Sequence, residues 1–135
     1  MKTWTAYKLM RPGMTTYKGY QWTLGVDHGP LSGEGKLCGP GWFHLYEHPL
    51  LASLLNPIHV DYSPAVLYKG VASGKRLNDH GIKYGATIYR PVREVALPVV
   101  STSARIRWGI LCSLEVEQRA EYREWAQNWL SRKDR

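Results

Sequence analysis

The patterning of this chain predicts an α+β fold: a twisted, mostly antiparallel sheet with one short internal helix and a C-terminal amphipathic helix packed across it. Three observations carry that expectation. Short runs rich in aromatic and β-branched residues alternate with proline and glycine turns over the first hundred positions, one brief apolar run has helical spacing, and the chain closes on aromatic residues at a helical period. At 135 residues it fits one domain, 1–135, that can bury a core without metal or disulfides.

The elements follow in order. Thr3–Met10 reads as a strand ended by Arg11-Pro12-Gly13, and Tyr17–Leu24 as a second strand that forms an antiparallel hairpin with it. Residues 25–35, with four glycines and a proline, read as a mobile loop. Lys36-Leu37-Cys38 and Trp42–Tyr46 are short extended pieces around Gly39-Pro40-Gly41. Pro49 then opens a helix of about two turns, in which Leu50, Leu51, Leu54 and Leu55 recur until Asn56-Pro57 stops it. Residues 65–72 read as a core strand, 73–79 as a basic turn, and 83–89 and 93–98 as two further strands. Ile106, Trp108, Ile110, Cys112, Leu114 and Val116 alternate with polar residues, which predicts a half-buried strand within 104–132. The segment closes with a helix over Glu117–Arg132, whose Tyr122, Trp125, Ala126 and Trp129 share one face.

Charge narrows the function classes. Residues 1–113 hold 13 Lys/Arg against 6 Asp/Glu, while residues 114–135 hold 5 of each, so the excess of +7 lies in the body of the chain. A basic body favours acidic partners and excludes imitation of DNA. Cys38 and Cys112 read as two free, largely buried thiols. Residues 1–5 show no basic-then-apolar leader, and no apolar run approaches the roughly 20 residues that span a bilayer, which predicts a soluble, cytoplasmic protein with no membrane partner.

The segment from Lys36 to Asn56 is the densest in chemistry-bearing residues. His44 and His48 are four apart, but Pro49 breaks the helix that would align them and no Cys-x-x-Cys accompanies them, so no metal site is assigned. A binding surface is assigned to Lys75, Arg76, Lys83, Arg90, Arg93, Arg105 and Arg107, interleaved with Tyr84 and Tyr89, because cations track phosphates and aromatic faces stack on bases.

From about residue 5 to residue 98 the chain resembles a family of short, uncharacterised domains of phage and prophage proteins. The shared pattern is Tyr7-Lys8, then Lys18-Gly19-Tyr20-Gln21-Trp22, then Lys36-Leu37-Cys38 with Gly41-Trp42-Phe43-His44 and His48-Pro49-Leu50, and then Leu67-Tyr68-Lys69-Gly70-Val71. The resemblance implies a phage or mobile-element protein in the cytoplasm of a bacterial host. There it would bind and modulate a host protein or protein–nucleic-acid complex, such as an immunity complex in the manner of an anti-CRISPR protein, without a cofactor.

A second resemblance is to mono-ADP-ribosyltransferases. Glu94-Val95-Ala96-Leu97-Pro98 looks like their late glutamate element, and Phe43–Tyr46 leading into the Pro49 helix looks like their strand-to-helix element. It implies NAD as cosubstrate, with Tyr46, His44 and Glu94 around it, although no arginine stands on the first strand and Val92 occupies the position two before Glu94. A direct nucleic-acid contact is the third reading.

Overall fold

Strand β1 (Thr3–Met10) forms where the β-branched and aromatic residues place it, but its partner is distant in sequence. In the computed structural model, which describes residues 2–131, β1 pairs antiparallel with β5 (Val66–Asp79), from Thr3 opposite Ser73 to Met10 opposite Val66. A tight turn leads from β5 into β6 (Lys83–Val95), and the far edge of β6 pairs with β4 (Phe43–Leu45). The order is β1-β5-β6-β4. The sheet then curls until its first and last strands meet, where Tyr7 and Tyr46 exchange both backbone hydrogen bonds at 2.8 and 2.9 Å. With three α-helices among the described residues as well as this antiparallel sheet, the fold is α+β.

The hairpin expected between residues 3–10 and 17–24 does not form. In its place, β2 (Thr15–Thr16) and β3 (Tyr20–Gln21) pair with each other across a 3-10 turn at Tyr17–Gly19, and a bridge from Arg11 to Thr15 links β2 to the end of β1. Trp22 is the reason. Its ring is buried beside Phe43 and Tyr89, and its Nε1 donates to Thr16 Oγ1 at 2.9 Å, which draws the chain inward and off a strand path.

The strand and basic turn expected over residues 65–79 are one strand, and the two strands expected over 83–98 are also one. Bulges absorb the turn-forming residues. The register shifts between Ser73 and Arg76 around Gly74, whose φ of +82° an L side chain resists, and again between Lys69 and Gly70 opposite Pro91. Gly70 also admits the Tyr89 ring, which would lie 2.7 Å from any Cβ placed there.

The expected mobile loop is instead bound to the edge of β6. Gly25, His28 and Leu31 donate backbone N–H groups to Pro91, Tyr89 and Thr87 at 2.7, 2.9 and 2.9 Å, extending the edge that β4 covers. Residues 37–38 form a turn and not a strand. Helix α1 (Pro49–His59) has Pro49 in its first turn and His48 as its N-cap, accepting from Leu50 N at 3.1 Å. It continues past Pro57 because a proline one turn from the end removes little of the ladder. Its buried face, Ala52, Ser53 and Leu55, lies on the side of β1.

The chain resolves into two compact units, Met1–Val99 and Val100–Arg135. The second is helical. The strand expected at Ile106–Val116 is a correction, since α2 (Thr102–Leu114) occupies that stretch. Ile106, Ile110 and Leu114 also recur every four residues, and Ser101 caps the helix by accepting from Ala104 N at 3.0 Å. Helix α3 (Ala120–Leu130) is shorter than expected, and Arg132 lies outside the described residues. Arg123 joins the two helices by donating from Nη1 to Leu114 O at 2.8 Å, and Ser113 Oγ bonds the Tyr122 hydroxyl. Both cysteines are free and exposed, not buried, because Cys38 sits in the turn and Cys112 on an outward face of α2.

Backbone geometry separates two glycines. Gly70→Ala is expected to cost about 2 kcal/mol or more by overlap with the Arg90 carbonyl and the Tyr89 ring. Gly109→Ala, mid-helix with open space around it, is expected to gain about 0.5–1 kcal/mol. Urea denaturation of the two variants checks both signs.

Candidate functional site

Strand alternation decides which basic residues reach solvent. Ala6 and Met10 are fully buried on the interior face of β1, and Lys8 lies between them on the same face. Its Nζ donates to His44 O at 2.9 Å and lies 5.4 Å from the centre of the Trp22 ring. Burial, reinforced by the positive charge of Lys83, lowers its pKa from 10.5 to about 8. Arg76, itself exposed, covers the opposite end of the sheet's interior. Its guanidinium stands 5.0 Å from the Trp4 ring centre and 4.5 Å from that of Tyr84, and it pairs with Glu47.

The outward face of β4 carries the other cluster. Leu45 and Tyr84 are the last paired residues of β4 and β6 and both are fully buried, so the next residues, Tyr46 and Lys83, turn to the outer face. The Tyr46 hydroxyl and His59 Nδ1 are hydrogen-bonded at 2.5 Å, and the two rings are stacked 5.8 Å apart with planes 10° from parallel. Burial raises the Tyr46 pKa and keeps the phenol protonated. The His59 pKa is lowered by burial and by Lys83, with Asp79 opposing. His44 Nε2 donates to Leu37 O. Burial and then Lys8 lower its pKa to about 4, so the ring is neutral.

Of the residues assigned from sequence, the structure gathers only some. His44 and Tyr46 are neighbours on the outer face, but Glu94 stands opposite Tyr68, on the rank that continues to Lys8 and the interior rim. The three therefore do not converge on one cleft. Tyr84 and Tyr89 are a correction: at 0% exposure they cannot stack on a base. Their rings fill the interior while their hydroxyls donate to Thr5 O at 3.3 Å and Ala6 O at 3.2 Å.

Among the cations, Lys75 pairs with Glu34 at 3.3 Å and Arg90 with Asp27 at 3.8 Å, while Arg76 is engaged with Glu47 and two rings. Arg105 and Arg107 lie in the helical unit, where Arg107 donates to Leu130 O at 2.9 Å. Arg93 is exposed, and its cross-strand neighbour is Lys69, whose own neighbour on β1 is Tyr7. No carboxylate among the described residues pairs with Lys69 or Arg93. The sequence reading missed Lys69, because it sits in a run read as core. It missed His59 as well, since only the fold brings that residue to Tyr46.

Two open depressions accompany these clusters. One, of about 340 Å³, lies at residues 65–67 and 94–97, and the other, of about 420 Å³, lies between Arg11 and residues 60–64. Among the described residues, no group of three or more His, Cys, Asp or Glu side chains gathers as a metal site. Compared with family models, curated proteins and solved structures, the chain matches none.

The buried lysine makes stability depend on alkaline pH. The folded chain releases the Lys8 proton near pH 8 and the unfolded chain near 10.5, so the Lys8 contribution to stability rises with pH between those values, while the buried tyrosines Tyr46, Tyr84 and Tyr89, whose pKa values are raised, oppose it as pH approaches 10. The rise is expected to be at most about 3 kcal/mol and to vanish in Lys8→Met, as measured by denaturant titrations across that range.

Proposed function

We propose that the protein is a non-enzymatic interaction protein that binds an acidic host macromolecule through the outward row Tyr7, Lys69 and Arg93. The observation that carries this reading is the direct cross-strand pairing of Lys69 with Arg93. Like charges placed opposite one another on a sheet destabilise it by a few tenths to about 1 kcal/mol, and nothing among the described residues neutralises this pair. An anionic partner would relieve the repulsion and gain the Coulomb attraction, with tyrosine supplying an apolar edge. The phage-like pattern in the first hundred residues adds the context: a phage- or mobile-element-derived protein, in a bacterial cytoplasm, acting on a nucleic-acid-handling or immunity complex of the CRISPR kind.

A charge reversal separates binding from folding. Arg93→Glu sets a carboxylate opposite Lys69, so the melting temperature is expected to hold or rise slightly. Capture of the host target should fall by about tenfold or more and lose part of its salt dependence. Co-purification from host lysate, with and without nuclease, reads both effects. Undiminished capture by Arg93→Glu overturns the proposal.

A further inference from the structure

We infer that the outer face at the β4–α1 junction is a second site, which binds the phosphate group of a small ligand between Lys83 Nζ and the Nε2–H of His59. It adjoins the Tyr7–Lys69–Arg93 row, since Tyr7 pairs with Tyr46, but its two donors are distinct from that row: Lys83 and Arg93 lie at opposite ends of β6.

The donor set follows from the hydrogen bonds on either side of it. The Tyr46 hydroxyl has no other acceptor among the described residues, which assigns it as the donor to His59 Nδ1 and leaves the neutral imidazole its own proton on Nε2. Nothing among the described residues accepts from that N–H. The stacked Tyr46 ring fixes the plane in which it points, which makes Tyr46 a positioning residue. Lys83 is the next outward residue on the neighbouring strand and has no ion pair among the described residues. Behind the face, Lys8 and His44 add one further cation and one neutral ring. The carboxylate in electrostatic reach is Asp79, which pairs with Lys83 in the backbone ladder but forms no side-chain ion pair with it. At the carbonyl end of α1, Asn56 O accepts from both Val60 N and Asp61 N, at 3.1 and 2.6 Å. What remains is an ammonium and an oriented N–H beside the buried Tyr46 ring, a donor pair suited to a phosphate oxyanion.

Ring-nitrogen NMR of the whole chain tests this. Inorganic phosphate and uridine 5′-monophosphate are both expected to shift the His59 Nε2 resonance, uridine is not, and the tighter of the two responses identifies the source of the phosphate. Lys83→Met should weaken the response about tenfold, Lys83→Arg should retain it, and Tyr46→Phe should weaken it while changing the His59 tautomer signature. The inference is overturned by no shift with phosphate, by an equal shift with uridine, or by a response unaltered in Lys83→Met. Circular dichroism of Lys83→Arg and Lys83→Met confirms that the comparison is made between folded chains.

Discussion

The exchange of backbone hydrogen bonds between Tyr7 and Tyr46 is the constraint on which the rest of the first unit depends. Without it, β1 and β4 would be two exposed edges of an open four-stranded sheet. With it, the sheet curls around a narrow interior, and the distance across that interior dictates what fits. Tyr84 and Tyr89 enter from one strand and Trp22 from a loop, and Gly70 must be bare for the Tyr89 ring to lie down. The same contact brings the main chain of β4 beside β1, which is how Lys8 Nζ comes to reach His44 O.

A closed interior of this size cannot be wholly apolar when its strands carry lysine and arginine on inward positions. Lys8 occupies it under Trp22, while Arg76, itself exposed, covers its other end against Trp4 and Tyr84. Aromatic faces offer an ammonium or guanidinium partial compensation for lost water. For Lys8 the compensation is incomplete, hence its depressed pKa. Interleaved basic and aromatic residues are the composition of a nucleic-acid surface. In this protein, much of that composition packs inward and stabilises the sheet instead.

What faces outward is a shorter set with a clear geometry. At one end of the β5–β6 hairpin, Lys69 and Arg93 confront each other without a carboxylate among the described residues, and at the other, Lys83 stands beside the Tyr46–His59 pair. The two positions are separated along β5 and β6 but adjoin where Tyr7 pairs with Tyr46, and they differ in character. The first is open and exposed, suited to a large anionic surface, whereas the second is half-buried and orders its donors through a hydrogen bond between side chains. Neither needs an enclosed cavity.

Much of the architecture is local in origin and therefore legible in the chain. The threonines and aromatic residues of 3–10, the Pro49 helix start and the run around Leu67 each select their backbone through short-range sterics, so the α+β class and most element positions follow from sequence. Where two local codes overlap, as at Ile106–Leu114, alternation and the fourfold spacing fit equally well, and the Ser101 cap together with the packing of the second unit decides for helix. Strand partners were beyond local reach. That β1 pairs with β5 and closes on Tyr46 depends on contacts 39 to 70 residues apart, and inward or outward facing follows from that pairing. The basic, aromatic character of the body was determined by the sequence alone. Only the tertiary structure decided that Tyr84 and Tyr89 are core and Glu94 stands apart, and that Lys69 and His59 belong to the surface clusters, because side-chain direction is set by register and closure and not by residue type.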